Sequence, residues 1–275
     1  MSTSPMTLDL VRAAITDAAT RAAAVVRGAR ASSIPVPGLE WTVGETAAHL
    51  VVETREYAAL LRGGPDAAHQ PAATPEPLGP ASRSAALNAR QLQDYPEREL
   101  GPLADAIESA AESFVGAASC RPPEDRLQVT NGLTMSVPTM CKVILGECLV
   151  HGFDMARATG QPLRLPRSDA LAVIDGVMTL VPEYLDPRTA GAVRATYELR
   201  FRGGPRYRLA IDHGHGEIAA AGGPVDCTIL ADPVAFLLVG YRRASQWSQI
   251  ARGRMLAFGR KPWLAARFGS LLTSV

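Results

Sequence analysis

Aromatic residues are scarce in this chain of 275 residues, at 5%, and lysine is nearly absent, with Lys142 and Lys261 its only two. So few rings argue against a cavity built to carry lipid, and Phe236, Trp247 and Trp263 read as core instead. Uncompensated charge is lacking too. The formal net charge is +1, whereas a protein whose surface grips phosphates needs many unpaired Lys or Arg, so nucleic acid is not an expected partner. Cys120, Cys141, Cys148 and Cys227 show no CxxC spacing, and Met1–Pro5 lacks the basic and apolar segments of a secretory signal; a reduced, cytoplasmic protein is the expectation. The best apolar run, residues 170–181, is short and broken by Asp175, so no membrane span is expected.

What is present is enough for a core: 47% hydrophobic against 20% charged residues, far from a disordered or fibrous composition. The length fits one large domain or two ordinary ones. Charge separates two parts, with residues 1–160 carrying a net −5 and residues 161–275 a net +6. The expected fold class is α+β, a helical bundle over 1–160 followed by a smaller α+β domain over 161–275.

The helical reading begins with Leu8, Val11, Ile15, Ala18, Ala22 and Val25, an apolar stripe at steps of three and four. A second helix opens at Thr42, with Glu45 placed to complete a capping box, and its stripe is Val43, Ala47, Leu50, Thr54, Tyr57 and Leu61. Residues 63–80 read as a loop, and helices follow over about 81–94 and 103–118. Asn131-Gly132 predicts a tight hairpin within 127–137, after which Pro138 starts a helix that ends at Gly160. Beyond it, Ser168 is expected to cap a helix to about Tyr184. Strands are expected over 195–201, 207–211, 227–230 and 255–258, with helical segments over 233–239 and 263–268.

One constellation carries chemistry. Glu147 and His151 stand four apart on the Pro138 helix, about 40° from each other around its axis, so one ion could touch both. His49 borders the stripe of the second helix. Each alone fits an ordinary surface pair or a hydrogen-bonded core histidine. Together they fit a site converging from facing helices, and two imidazoles with one carboxylate suit zinc while leaving a coordination position open. Iron, nickel and manganese are not excluded. Asp154 lies on the same face, either holding an imidazole N–H behind the ion or salt-bridged to an arginine.

The stretch Gly38-Leu39-Glu40-Trp41-Thr42-Val43 with Ala48-His49-Leu50, and Gly146-Glu147-Cys148-Leu149-Val150-His151-Gly152-Phe153-Asp154, resembles the two signature helices of the mycothiol-dependent maleylpyruvate isomerase family. The resemblance implies a DinB-like four-helix bundle, with His49, Glu147 and His151 as metal ligands, zinc as the ion and mycothiol as the thiol. It implies an enzyme in which a metal-held thiolate adds to a small electrophilic substrate, ending in isomerisation or S-transfer. Asp226-Cys227-Thr228-Ile229, Asp232-Pro233, Gly253-Arg254 and Gly259 are similar to sterol-carrier-like domains attached to members of this family, although Arg260 stands where those often have an acidic residue. The rival reading is a non-catalytic small-molecule or lipid carrier on the same scaffold.

Other residues are weighed and set aside. His213 and His215 alternate as in a strand, but Gly214 and Gly216 favour a turn over a second metal site. Cys141 and Cys148 fall on a helix line away from Glu147, and packing accounts for them. Arg242, Arg243, Arg252, Arg254, Arg260, Lys261 and Arg267 form a basic tail that is a solvated face, or else lends one or two arginines to a carboxylate of the thiol or substrate.

Overall fold

The computed structural model describes residues 6–63, 80–219 and 223–273, which fall into two compact units divided between Leu165 and Pro166. The expected loop over 63–80 lies almost wholly outside the described residues.

The first unit is built on helices α1 (Leu8–Arg27), α2 (Val43–Arg62), α4 (Leu100–Ser119) and α5 (Val137–Thr159), with α1 packed on α4 and α5, and α2 on the same two. The shorter α3 (Pro80–Asp94) lies against α2 alone among these contacts, so the bundle proper has four members. The stripes explain the packing. In α2 every residue of the predicted stripe is buried, and in α1 Val11, Ile15, Ala18, Ala22 and Val25 are buried while Leu8, the first helical residue, is partly exposed. Alanine dominates the α1 face, and small side chains let helix axes approach closely.

Strands β1 (Arg126–Gln128) and β2 (Thr134–Ser136) pair antiparallel ahead of α5. Their turn differs from the tight two-residue form. Val129 N–H donates to Leu133 O and Gly132 N–H to Val129 O, while Gly132 alone takes positive φ. This is a three-residue loop closed by a left-handed glycine, with the Asn131 side chain accepting from Leu133 N–H.

The second unit is a five-stranded sheet in the order β5 (His215–Ala219), β4 (Arg206–Asp212), β3 (Arg194–Phe201), β6 (Cys227–Ala231), β7 (Met255–Phe258). All pairs are antiparallel except β3 with β6. Ala195, Tyr197, Leu199 and Phe201 alternate inward along β3, and with Leu209, Ile211, Cys227 and Ile229 they form a core covered by Ile174 and Met178 of α6 (Arg167–Met178). The chain continues through a 3-10 turn at Val181–Tyr184 and the short helices α7 (Pro187–Ala190), α8 (Pro233–Gly240), α9 (Gln246–Ala251) and α10 (Ala265–Phe268).

Several expectations are corrected here. Ser168 is no cap: α6 begins after Pro166, Ser168 Oγ bonds Asp169, and the helix stops at Met178. The turn expected at His213 and Gly214 is present, with both in the left-handed region, while His215 and Gly216 belong to β5, which the sequence reading did not include. Trp247 and Trp263 are 66% exposed, Trp247 on α9, whose buried residue is Gln249, and Trp263 on a 3-10 turn with no buried residue; of the three, Phe236 packs against the core. Two of the aspartates singled out in the sequence act as joints. Asp226 accepts from Thr196 N–H and is paired with Arg260 and Lys261, while Asp232 caps α8 through Ala235 N–H.

Candidate metal centre

Helix α2 is started by a reciprocal cap in which Thr42 Oγ1 accepts from Glu45 N–H and the Glu45 carboxylate accepts from Thr42 N–H and from its hydroxyl. Those bonds to Thr42 hold the Glu45 carboxyl below the usual carboxylate range. Trp41, the residue before the cap, has its ring centroid 4.8 Å from that of His49 and 6.2 Å from that of His151. Helix α5 is started by Ser136, whose Oγ accepts from Thr139 N–H with Pro138 in the first turn, and is ended by Gly160 in the left-handed conformation. Gly152, beside His151, faces Ala22 of α1, where even a Cβ would lie 3.4 Å from the alanine methyl.

These two helices bring His49, Glu147 and His151 together, with one candidate donor atom from each lying within 4.8 Å of the others. It is the sole such group of three or more His, Cys, Asp or Glu among the described residues. Glu147 Oε2 lies 3.1 Å from His151 Nε2 and 3.7 Å from His49 Nε2, and the two imidazoles meet edge to face. Tetrahedral zinc with bonds of about 2.0–2.1 Å requires donors about 3.3 Å apart, and the two separations from Glu147 bracket that value within a group whose donors span up to 4.8 Å.

Asp154 Oδ2 lies 3.4 Å from His151 Nδ1 with its side chain fully buried, which places a carboxylate behind that imidazole without hydrogen-bond alignment. His49 Nδ1 has no hydrogen-bond partner among the described residues. Sequence reasoning missed Glu53, whose Oε2 is 3.0 Å from His49 Nε2. Its spacing of four from His49 was the available signal. Exposure rises from His49 at 3% through His151 at 9% and Glu147 at 15% to Glu53 at 21%, so the cluster opens to solvent on the Glu53 side.

The electrostatics are those of a site built for positive charge. Burial opposes charge on His49, but Glu147 and Glu53 outweigh it and carry its pKa up to about 10; His151 is raised, with Asp154 and Glu147 overcoming burial. Burial would raise Glu147, yet contact with His151 and His49 holds it well below the usual range, whereas Glu53 is raised by burial and by the charge of Glu147. Cys148, next to Glu147, is pushed up to about 12 by burial and then by the charges of Glu147 and Glu53, which makes it a packing thiol and no nucleophile.

No curated protein matches the chain. Among solved structures it is similar to the mycothiol-dependent maleylpyruvate isomerase, at TM-score 0.56 and 11% identity, and to a mutant of that enzyme at TM-score 0.57 and 12% identity. Each likeness covers 94% of this chain and 99% of the other, and at such identity it speaks for the fold. Residues 8–156, more than half of the chain, match the family model described as the mycothiol maleylpyruvate isomerase N-terminal domain, and the chain belongs to that family.

Proposed function

We propose that this protein is a metal-dependent enzyme that uses a low-molecular-weight thiol, mycothiol, on a small electrophilic substrate, for isomerisation or S-transfer. The observation that carries the reading is the convergence of His49, Glu147 and His151 from two facing helices at separations an ion can span. When bound, a divalent ion, zinc by preference, supplies a Lewis-acid position that stabilises a sulfur as its thiolate at neutral pH, without a strong base. His49 and His151 would each hold it through Nε2 and Glu147 through a carboxylate oxygen. Trp41 keeps both imidazoles in place from one side. Asp154 places a carboxylate behind His151. The chain's own nearby thiol, Cys148, is buried and held protonated, so the reacting sulfur comes from a co-substrate.

The chemistry belongs to residues 1–160 in this reading, with 161–275 a separate α+β, sterol-carrier-like domain. All four cysteines are free, which fits the reducing cytoplasm. No helix among the described residues is long and apolar enough to cross a membrane.

The test is cobalt-substituted protein titrated with mycothiol. A new sulfur-to-cobalt charge-transfer band, absent from the His151→Ala protein, is the expected result. Cobalt protein whose spectrum ignores saturating thiol would remove the thiol from the account.

A further inference from the structure

Glu53 and His49 are four apart on α2, as Glu147 and His151 are four apart on α5, so each of the two facing helices presents one imidazole and one carboxylate on a single helical face. The pairs also share atoms. His49 Nε2 is approached by Glu53 Oε2 at 3.0 Å and by Glu147 Oε2 at 3.7 Å, so the lone pair assigned above to the metal is ringed by two carboxylates. An ordinary hydrogen bond does not account for Glu53 in the loaded protein. Nε2 can donate to Glu53 only while it carries a proton, and a nitrogen that holds a metal carries none. Once an ion sits about 2.0–2.1 Å from Nε2, a carboxylate 3.0 Å from that nitrogen either binds the ion or has to move away. Glu53 is also the most exposed of the four side chains, at 21%.

We propose that Glu53 is a fourth, displaceable donor to this ion, occupying in the resting protein the position that the thiol's sulfur takes. The proposal rests on the metal-centre reading above and adds a regulation to it: the open corner is closed by a carboxylate until a better ligand arrives. Sulfur binding then breaks the bond between Glu53 and the ion and makes one between the ion and sulfur. The thiol proton goes to the freed carboxylate or to water, and no redox partner is needed.

The experiment uses the full chain with Glu53→Gln, which keeps size and can still hydrogen-bond His49 but offers only a neutral amide oxygen. Zinc affinity is measured by competition with a chromophoric chelator, and the cobalt proteins are titrated with 2-mercaptoethanol. Melting of the metal-free proteins confirms the fold, and Glu53→Ala serves as a second variant should glutamine disturb it. Expected are zinc affinity weaker by about tenfold or more and half-maximal appearance of the sulfur band at about tenfold lower thiol. Unchanged affinity overturns the proposal. Weaker affinity with an unchanged thiol requirement also overturns it, since Glu53 would then only support His49. Wild-type protein that takes up neither metal would instead remove the metal centre itself, a different failure from that of Glu53.

Discussion

His49 is where sequence, packing and chemistry meet most closely. In the metal-free protein its pKa is near 10 against an ordinary 6.5, and the cause is contact with Glu147 and Glu53 in spite of burial. The folded state therefore holds this proton more tightly than the unfolded chain does. The stabilisation is complete below about pH 6.5 and is lost as the pH climbs toward 10. An incoming ion must expel the same proton. Zinc affinity should therefore rise by at least about tenfold per pH unit between about pH 6.5 and 8.5, measured by chelator competition, and a flat profile would contradict the protonated resting state. The cysteines supply a second check at this scale. Cys148 and Cys141 are buried with pKa values pushed up to about 12 and about 11, and Cys227 is buried and raised, whereas Cys120 is exposed. Iodoacetamide at neutral pH should label Cys120 alone in the folded protein, as read by mass spectrometry. Labelling at Cys148 would reopen the question of which sulfur reacts.

At the scale of elements, the site depends on where α2 and α5 begin and how closely α1 approaches. Removing the cap by Thr42→Ala should cost about 1 kcal/mol of stability in denaturant unfolding. Gly152→Val should cost about 1–3 kcal/mol, since side-chain atoms beyond Cβ would enter Ala22, and it should lower metal affinity through the adjacent His151. Full stability in Gly152→Val would show that α1 and α5 have room to spare. Much of this level was readable beforehand. The α2 stripe, its capping box, Gly160 and the Glu147–His151 spacing are all local features with periods fixed by the helix. What was missed is of another kind. Glu53 looks like any polar residue beside an apolar stripe until α5 places Glu147 near it, and β5 was hidden by Gly214 and Gly216, which read as turn although only Gly214 takes positive φ. Trp247 and Trp263 went wrong for a similar reason: composition says that a tryptophan prefers to be covered, but the face it takes on its element is set by the tertiary fold, and on α9 it is Gln249 that is buried.

For the whole molecule, the two units have separate cores and the proposed ion belongs to one of them. A ligand that binds only the folded state stabilises the unit that holds it, by about 2.7 kcal/mol at a free concentration one hundred times Kd. Zinc should therefore increase hydrogen-exchange protection in α2 and α5, with much smaller change in the sheet of the second unit. Equal protection throughout would point to coupling that two separate cores do not require.

The most direct measurement is the metal content of the purified full chain and of its His49→Ala and Glu147→Ala forms, each checked for an unchanged fold by circular dichroism. About one divalent ion per chain in the wild type, falling nearly to none in both variants, is the outcome the three-donor arrangement demands. Folded wild-type protein that takes up no ion from excess zinc, or variants that keep theirs, would contradict it.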